Sequence, residues 1–176
     1  MLYPLLEQKR QFLFCEPSCL SAMKEDVPSL LRGEEQRKAR EVAAACRLWE
    51  EFVEQEMGAK LRLKSGPKKI LLHGHCHQKS MGMLVPAKAL LGRVPGAAVV
   101  DLDAGCCGMA GSFGYAKDHY EVSRTMAERR LLPAARSMGP DAVLIAAGVS
   151  CRHQVEELAE VHAQHPALLI ASLLES

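Results

Sequence analysis

Four short apolar runs, each followed closely by cysteine, constrain this 176-residue chain more than any other feature. Gln11-Phe12-Leu13-Phe14 leads to Cys15 and Cys19, and Ile70-Leu71-Leu72-His73 leads to Cys76. Ala97-Ala98-Val99-Val100-Asp101-Leu102 leads to Cys106 and Cys107, and Asp141-Ala142-Val143-Leu144-Ile145-Ala146-Ala147 leads to Cys151. Continuous apolar runs alternating with helical patterns mark strands of a parallel sheet that helices cover on both faces. The expected fold class is therefore α/β: a mainly parallel sheet flanked by helices, with cysteine-bearing loops at the C-terminal ends of the strands. Those ends share one edge, where open α/β sheets build their ligand sites. Six of the seven cysteines are expected to converge there.

Helical patterns fill the intervals. A short helix is expected after Cys19, running towards Leu31. From Glu34 to about Met57, Val42, Ala45, Trp49, Phe52 and Val53 recur at steps of three and four, which predicts one amphipathic helix. Cys46 falls on its apolar face and reads as a core cysteine. Further helices are expected from Met81 to Leu91, interrupted near Pro86, and from Tyr115 to Met138, bent near Pro133. Two more, Gln154 to Ala163 and Pro166 to Leu174, close the chain. The segment from Lys60 to Lys69 holds five basic residues around a Gly-Pro break. It reads as a solvated connection rather than a docking surface.

Hydrophobic residues make up 48% of the chain and charged ones 24%, as in a soluble globular domain with a genuine core. No apolar run reaches the roughly 18 to 20 residues of a membrane span, which leaves only peripheral association with a membrane open. Lysine plus arginine number 22 against 21 aspartate plus glutamate, so a formal charge of +1 gives no electrostatic case for nucleic acid. The first residues, Met1-Leu2-Tyr3-Pro4-Leu5-Leu6-Glu7, lack the features of a secretory signal, so a cytoplasmic location is expected. In that reducing compartment clustered cysteines bind metal or do redox chemistry more often than they form disulfides.

The loop Gly105-Cys106-Cys107-Gly108-Met109-Ala110-Gly111-Ser112-Phe113-Gly114 joins two adjacent cysteines to four glycines. Neighbouring side chains on a strand point to opposite faces, so two adjacent thiolates can serve one centre only where the backbone bends sharply. The glycines Gly105, Gly108, Gly111 and Gly114 also let backbone N–H groups approach an anion, either a phosphate or the inorganic sulfide of a cluster. The absence of Gly-x-Gly-x-x-Gly and of a Walker lysine disfavours phosphate. His73-Gly74-His75-Cys76-His77 would suit zinc by donor type, but its spacing matches no common zinc-finger pattern. His73, His75 and His77 read individually as hydrogen-bonding or exposed residues, as do His119, His162 and His165. His153, two residues beyond Cys151, stands where a further ligand could reach the site.

Four segments together resemble the cysteine-rich CCG domain of iron-sulfur oxidoreductases. They are Cys15-Glu16-Pro17-Ser18-Cys19-Leu20, His73-Gly74-His75-Cys76-His77-Gln78-Lys79, the loop from Gly105 to Tyr115, and Gly148-Val149-Ser150-Cys151-Arg152-His153-Gln154. The resemblance runs from about Phe12 to the C-terminus. It is to such domains in the glycolate oxidase iron-sulfur subunit and in the C-terminal part of bacterial fusions with an FAD-linked D-2-hydroxyacid dehydrogenase. It implies an iron-sulfur cluster of the [4Fe-4S] type that passes electrons from a reduced flavin to an acceptor. Cys76, Cys106, Cys107 and Cys151 match the lone cysteine, the cysteine pair and the first cysteine of the closing Cys-x-x-Cys, and four thiolates suffice for a cluster.

The chain departs from that pattern in three ways. The closing motif is reduced to Cys151-Arg152-His153-Gln154, so a fifth ligand would come from Cys19, taken first, or from Cys15 or His153. Cys15 and Cys19 resemble the end of a preceding CCG repeat, so residues 1–33 are expected to be its remnant and residues 34–176 the iron-sulfur-binding domain, as in a shortened homologue or a fragment. Finally, the sequence holds no ferredoxin-type cysteine run and no flavin-binding domain. The expected partners are therefore a flavoprotein dehydrogenase subunit or domain and a ferredoxin-type iron-sulfur protein or domain, and the chain alone is not expected to oxidise a substrate. Two other readings compete with this one. A zinc domain would use Cys76, Cys106, Cys107 and one histidine for structure. A thiol redox protein would cycle Cys106 with Cys107 or Cys15 with Cys19, although neither pair has thioredoxin-like spacing.

Overall fold

A computed structural model describes residues 2–175. Three parallel strands form the central sheet: β3 (Lys69–His73) lies between β4 (Ala98–Asp101) and β5 (Ala142–Ala146). The register pairs Leu72 with Asp101 on one side and Ile145 on the other, and His73 with Ala146. The expected α/β class with a parallel sheet is borne out.

The alternation of side chains along a strand divides the core between the two faces. Leu71, Leu144 and Ala146 face a cluster formed with Ala127, Leu131, Leu132, Ala135 and Val155. These come from α7 (Tyr120–Glu128), α8 (Leu131–Arg136) and α9 (Val149–Ala159). Ile70, Leu72 and Ile145 face the opposite cluster, with Leu90, Leu91, Leu169, Ile170 and Leu173. Those belong to α6 (Leu84–Leu91) and α10 (Pro166–Leu173). Pro133 lies inside α8, and the bend expected there falls earlier, at the break between α7 and α8.

The helix expected from Gln154 to Ala163 instead starts five residues earlier, as α9, and two features of the N-terminal part also differ from the sequence expectation. The single helix expected from Glu34 to Met57 is instead α3 (Gly33–Ala44), a strand β2 (Cys46–Leu48), then α4 (Trp49–Phe52) running into a π-helical turn. The apolar spacing fits a helix, but Cys46 and Leu48 are also two apart, and both are completely buried with half-buried Arg47 between them. Pairing with another strand wins over local periodicity. That partner is β1 (Phe12–Phe14), with Phe12 opposite Cys46 and Phe14 opposite Leu48. Consequently β1 belongs to a separate two-stranded parallel sheet rather than to the central one. Cys46 is still a core residue, packed with Leu20, Val42 and Leu48.

Candidate metal centre

The C-terminal ends of β3, β4 and β5 each lead into a loop or helix start that bears cysteine. After β3 the chain passes through Gly74 and His75 into α5 (Cys76–Ser80). The His75 ring caps this helix by accepting from the His77 N–H, while Gln78 Oε1 accepts from the His75 N–H at 3.0 Å. This reciprocal pair fixes the first residue of the helix, Cys76. After β4 the loop turns at Gly105 and Gly108, with φ of 69° and 87°. A Cβ at Gly108 would lie 2.8 Å from the Ser123 backbone, so only glycine fits there. After β5, Cys151 stands in the first turn of α9.

These three connections bring Cys76, Cys106, Cys107 and Cys151 to the wall of one cavity of about 410 Å³. The Cys107 and Cys151 sulfurs are 3.2 Å apart. The Gly108 N–H donates to Cys106 Sγ at 3.3 Å, which is the kind of backbone contact expected of this loop. Hydrogen bonding from the Cys107 and Cys76 thiols holds Cys106 far below the ordinary thiol value, and raises Cys76 and Cys107 in turn. Cys151 is held down by Cys107 first and by His73 as well. Thiolate is the ligating form, so the neighbouring thiols favour it at Cys106 and Cys151, whereas Cys76 and Cys107 would have to give up their protons on binding a metal.

Of the other glycines predicted for the site, Gly111 lines the cavity. Gly105 accepts the Lys79 ammonium at its carbonyl, and Gly114 packs where a Cβ would meet Met109 Sδ and Ser123 Oγ at 2.6 Å. Cys19 is exposed on α1 (Pro17–Ser21), and the cavity is lined by its neighbours Ser18 and Ser21 instead. Cys15 is also exposed, and His153 is exposed with its Nδ1 at 3.2 Å from the Tyr115 hydroxyl. None of these three lines the cavity. Gln154, in the place of the second cysteine of a Cys-x-x-Cys, is buried; its Nε2 donates to the Cys107 carbonyl at 2.9 Å and to Ser123 Oγ at 2.8 Å.

Two further residues complete the surroundings: His73, read from the sequence as a hydrogen-bonding or exposed residue, and Glu16, to which no role was given. His73, buried at the end of β3, has a ring nitrogen within 4.8 Å of both the Cys107 and Cys151 sulfurs. Strand alternation carried a usable signal, since His73 must share a face with Leu71. Glu16 bridges the N-terminal segment to the site: its carboxylate accepts from the Val149 N–H at 2.8 Å and from Ser18 Oγ at 3.0 Å. A donor set of several thiols and one buried imidazole fits iron in a cluster, and it fits zinc.

Fold and site together define a class: a parallel α/β domain whose strand ends gather thiols around one cavity. The chain is 30% identical over 158 residues to one subunit of the anaerobic glycerol-3-phosphate dehydrogenase of Escherichia coli K12, across 89% of this chain and 39% of that protein. It is 33% identical over 107 residues to D-2-hydroxyglutarate dehydrogenase of Pseudomonas putida and 32% over 111 residues to that of Escherichia coli K12. Each of these matches covers 58% of this chain and 10% of the relative. The chain thus spans about two fifths of the first relative's length and a tenth of the others'. No family model matches the chain, and no solved structure does. The homologues are dehydrogenases or parts of them, which bears out the resemblance to a CCG-type domain.

Proposed function

We propose that the chain is an iron-sulfur electron-transfer module that relays electrons from a flavin-linked 2-hydroxyacid dehydrogenase to an acceptor. Similarity to dehydrogenases supports a redox module, and the cysteine and histidine cluster supports metal binding. One observation carries the finer reading: four thiols from three strand-end connections line a single cavity. In this proposal Cys76, Cys106, Cys107 and Cys151 are the ligands, with Cys19 as the further one nominated by sequence. Bound there, a [4Fe-4S] cluster supplies one-electron storage and transfer. The chain's own residues bind and orient it: His75 and Gln78 hold the Cys76 helix, Gln154 holds the Cys107 carbonyl, and the Gly108 N–H donates to the Cys106 sulfur. Such a backbone donor stabilises added negative charge on sulfur and so raises the reduction potential.

Residues 1–33 form, in the same proposal, the remnant of a preceding CCG repeat, and residues 34–176 the cluster-binding domain. The order β1, Cys15, α1 repeats the order strand, cysteine, helix of β3 with Cys76 and β5 with Cys151. The electron donor would be a flavoprotein dehydrogenase subunit or domain, and a ferredoxin-type iron-sulfur protein or domain would sit on the same path. The described residues contain no helix long and apolar enough to cross a membrane. The cysteine-rich site is assigned to the reducing cytoplasm.

The deciding experiment measures iron, zinc and acid-labile sulfide per chain on protein purified without oxygen. About four iron and four sulfide are expected for the cluster. About one zinc without sulfide would replace this reading with a structural zinc domain.

A further inference from the structure

His73 is 1% exposed, and both of its ring nitrogens are buried without a hydrogen-bond partner. Folds rarely leave a buried polar side chain in that state, because its lost hydration is not returned. The groups the ring does approach are sulfurs: His73, Cys107 and Cys151 each present a ligand atom within 4.8 Å of the others. His75 and His77 also line the cavity, but the Nδ1 of each is engaged, by the His77 N–H and by Ser21 Oγ, and the candidates named from the sequence do not line it. Cys15 and Cys19 are exposed, His153 faces the Tyr115 hydroxyl, and the Gln154 amide is committed to Cys107 and Ser123.

We propose that His73 is itself a ligand, giving one imidazole nitrogen to the metal centre beside the thiolates of Cys107 and Cys151. The inference rests on the metal-binding reading of this cavity, but not on the metal being an iron-sulfur cluster. The position suits the role: β3 is the central strand, and pairing of His73 with Ala146 fixes its backbone from the side of β5. A ligand anchored on a sheet is held more rigidly than one on a loop. Mixed imidazole and thiolate ligation changes what the centre can be, since replacing thiolate by neutral imidazole makes a cluster less negative and raises its potential. The competing account leaves His73 as a hydrogen-bond donor to the Cys151 sulfur with no bond to metal.

The test uses the full chain with isotopically labelled histidine, reconstituted with iron and sulfide without oxygen and read by pulsed electron-nuclear double resonance in the reduced state. The expected result is one directly bonded nitrogen, lost in His73→Cys, which keeps iron by offering a thiolate, and lost in His73→Gln. The same nitrogen should persist in Cys19→Ser and His153→Gln. An all-sulfur centre in the unmutated chain overturns the proposal, as does a nitrogen signal that survives both His73 variants. If the chain takes up no iron and sulfide, the iron-sulfur reading fails on its own. Cobalt(II) added to the metal-free chain then decides, by X-ray absorption: a shell of sulfur plus nitrogen that becomes all sulfur in His73→Cys supports ligation. An all-sulfur shell in the unmutated chain, or no cobalt uptake, overturns it.

Discussion

Cys107 Sγ and Cys151 Sγ lie 3.2 Å apart across 44 residues of sequence. Their strands, β4 and β5, do not touch, since each pairs with β3. The loop after β4 must therefore reach across the end of the central strand, and the bends at Gly105 and Gly108 give it that path. The two sulfurs meet above His73, the last residue of the strand between them.

Thiols in the cavity and the thiol in the core should respond differently to substitution. Cys106→Ser or Cys107→Ser should remove most of the bound iron and sulfide. Cys46→Ala should leave metal content unchanged and cost about 1 kcal/mol of stability, through lost packing and the lost contact of its sulfur with the Val42 carbonyl at 3.2 Å. Metal analysis with denaturant unfolding checks both, and metal loss confined to Cys46→Ala would overturn the assignment.

Glu50 is buried, with Oε1 accepting from Gln78 at 3.1 Å and Oε2 unpaired. Burial pushes its carboxyl up to about 7 from 4.5. The folded state then binds the proton more readily than the unfolded state, so stability falls as pH rises from about 4.5 and levels off above about 7, by at most about 3 kcal/mol. Glu50→Gln keeps an acceptor for Gln78 and removes the charge. The variant should be more stable than the parent at pH 8 and equal to it near pH 4; a pH-independent difference between the two would refute this account.

Gly148 gives a steric prediction. A Cβ there would run into the His75 ring and lie 3.1 Å from Cys151 Sγ. Gly148→Ala must push apart the α5 cap beside Cys76 and the first turn of α9. It should cost about 1–3 kcal/mol and deplete the metal. Gly139→Ala, with nothing within 4 Å of the new Cβ, is the control. Equal metal content in the two variants would show that the close approach does not matter.

Gln154→Ala removes the donor to the Cys107 carbonyl and to Ser123 Oγ, both buried or nearly so. A loss of about 1–3 kcal/mol is expected, with metal bound less tightly because the Cys106-Cys107 turn loosens. Chelator competition against the parent chain measures this, and unaltered retention would count against a positioning role.

Much of the site is legible in the sequence itself. Alternation of apolar runs and helical patterns points to the parallel sheet, and the cysteines after three of those runs do meet in one cavity. Cys46 is legible as a core residue although its element is not, because burial depends on apolar character whereas the choice between helix and strand depends on a distant partner. Cys15 and Cys19 group with the rest only on the premise of one sheet. β1 instead pairs with β2, and both thiols stay exposed.

The sequence alone determined the α/β class, the placing of cysteine-bearing connections after the strands, and the turn-forming glycines around Cys106 and Cys107, since these follow from local periodicity and backbone sterics. Only the tertiary structure decided which side chains share the cavity. It buried His73 without a hydrogen-bonding partner, turned Cys19 outward and gave Gln154 to the Cys107 carbonyl. Those outcomes depend on which strands pair and on how helices pack across the sheet edge, and contacts of that range leave no periodic trace along the chain.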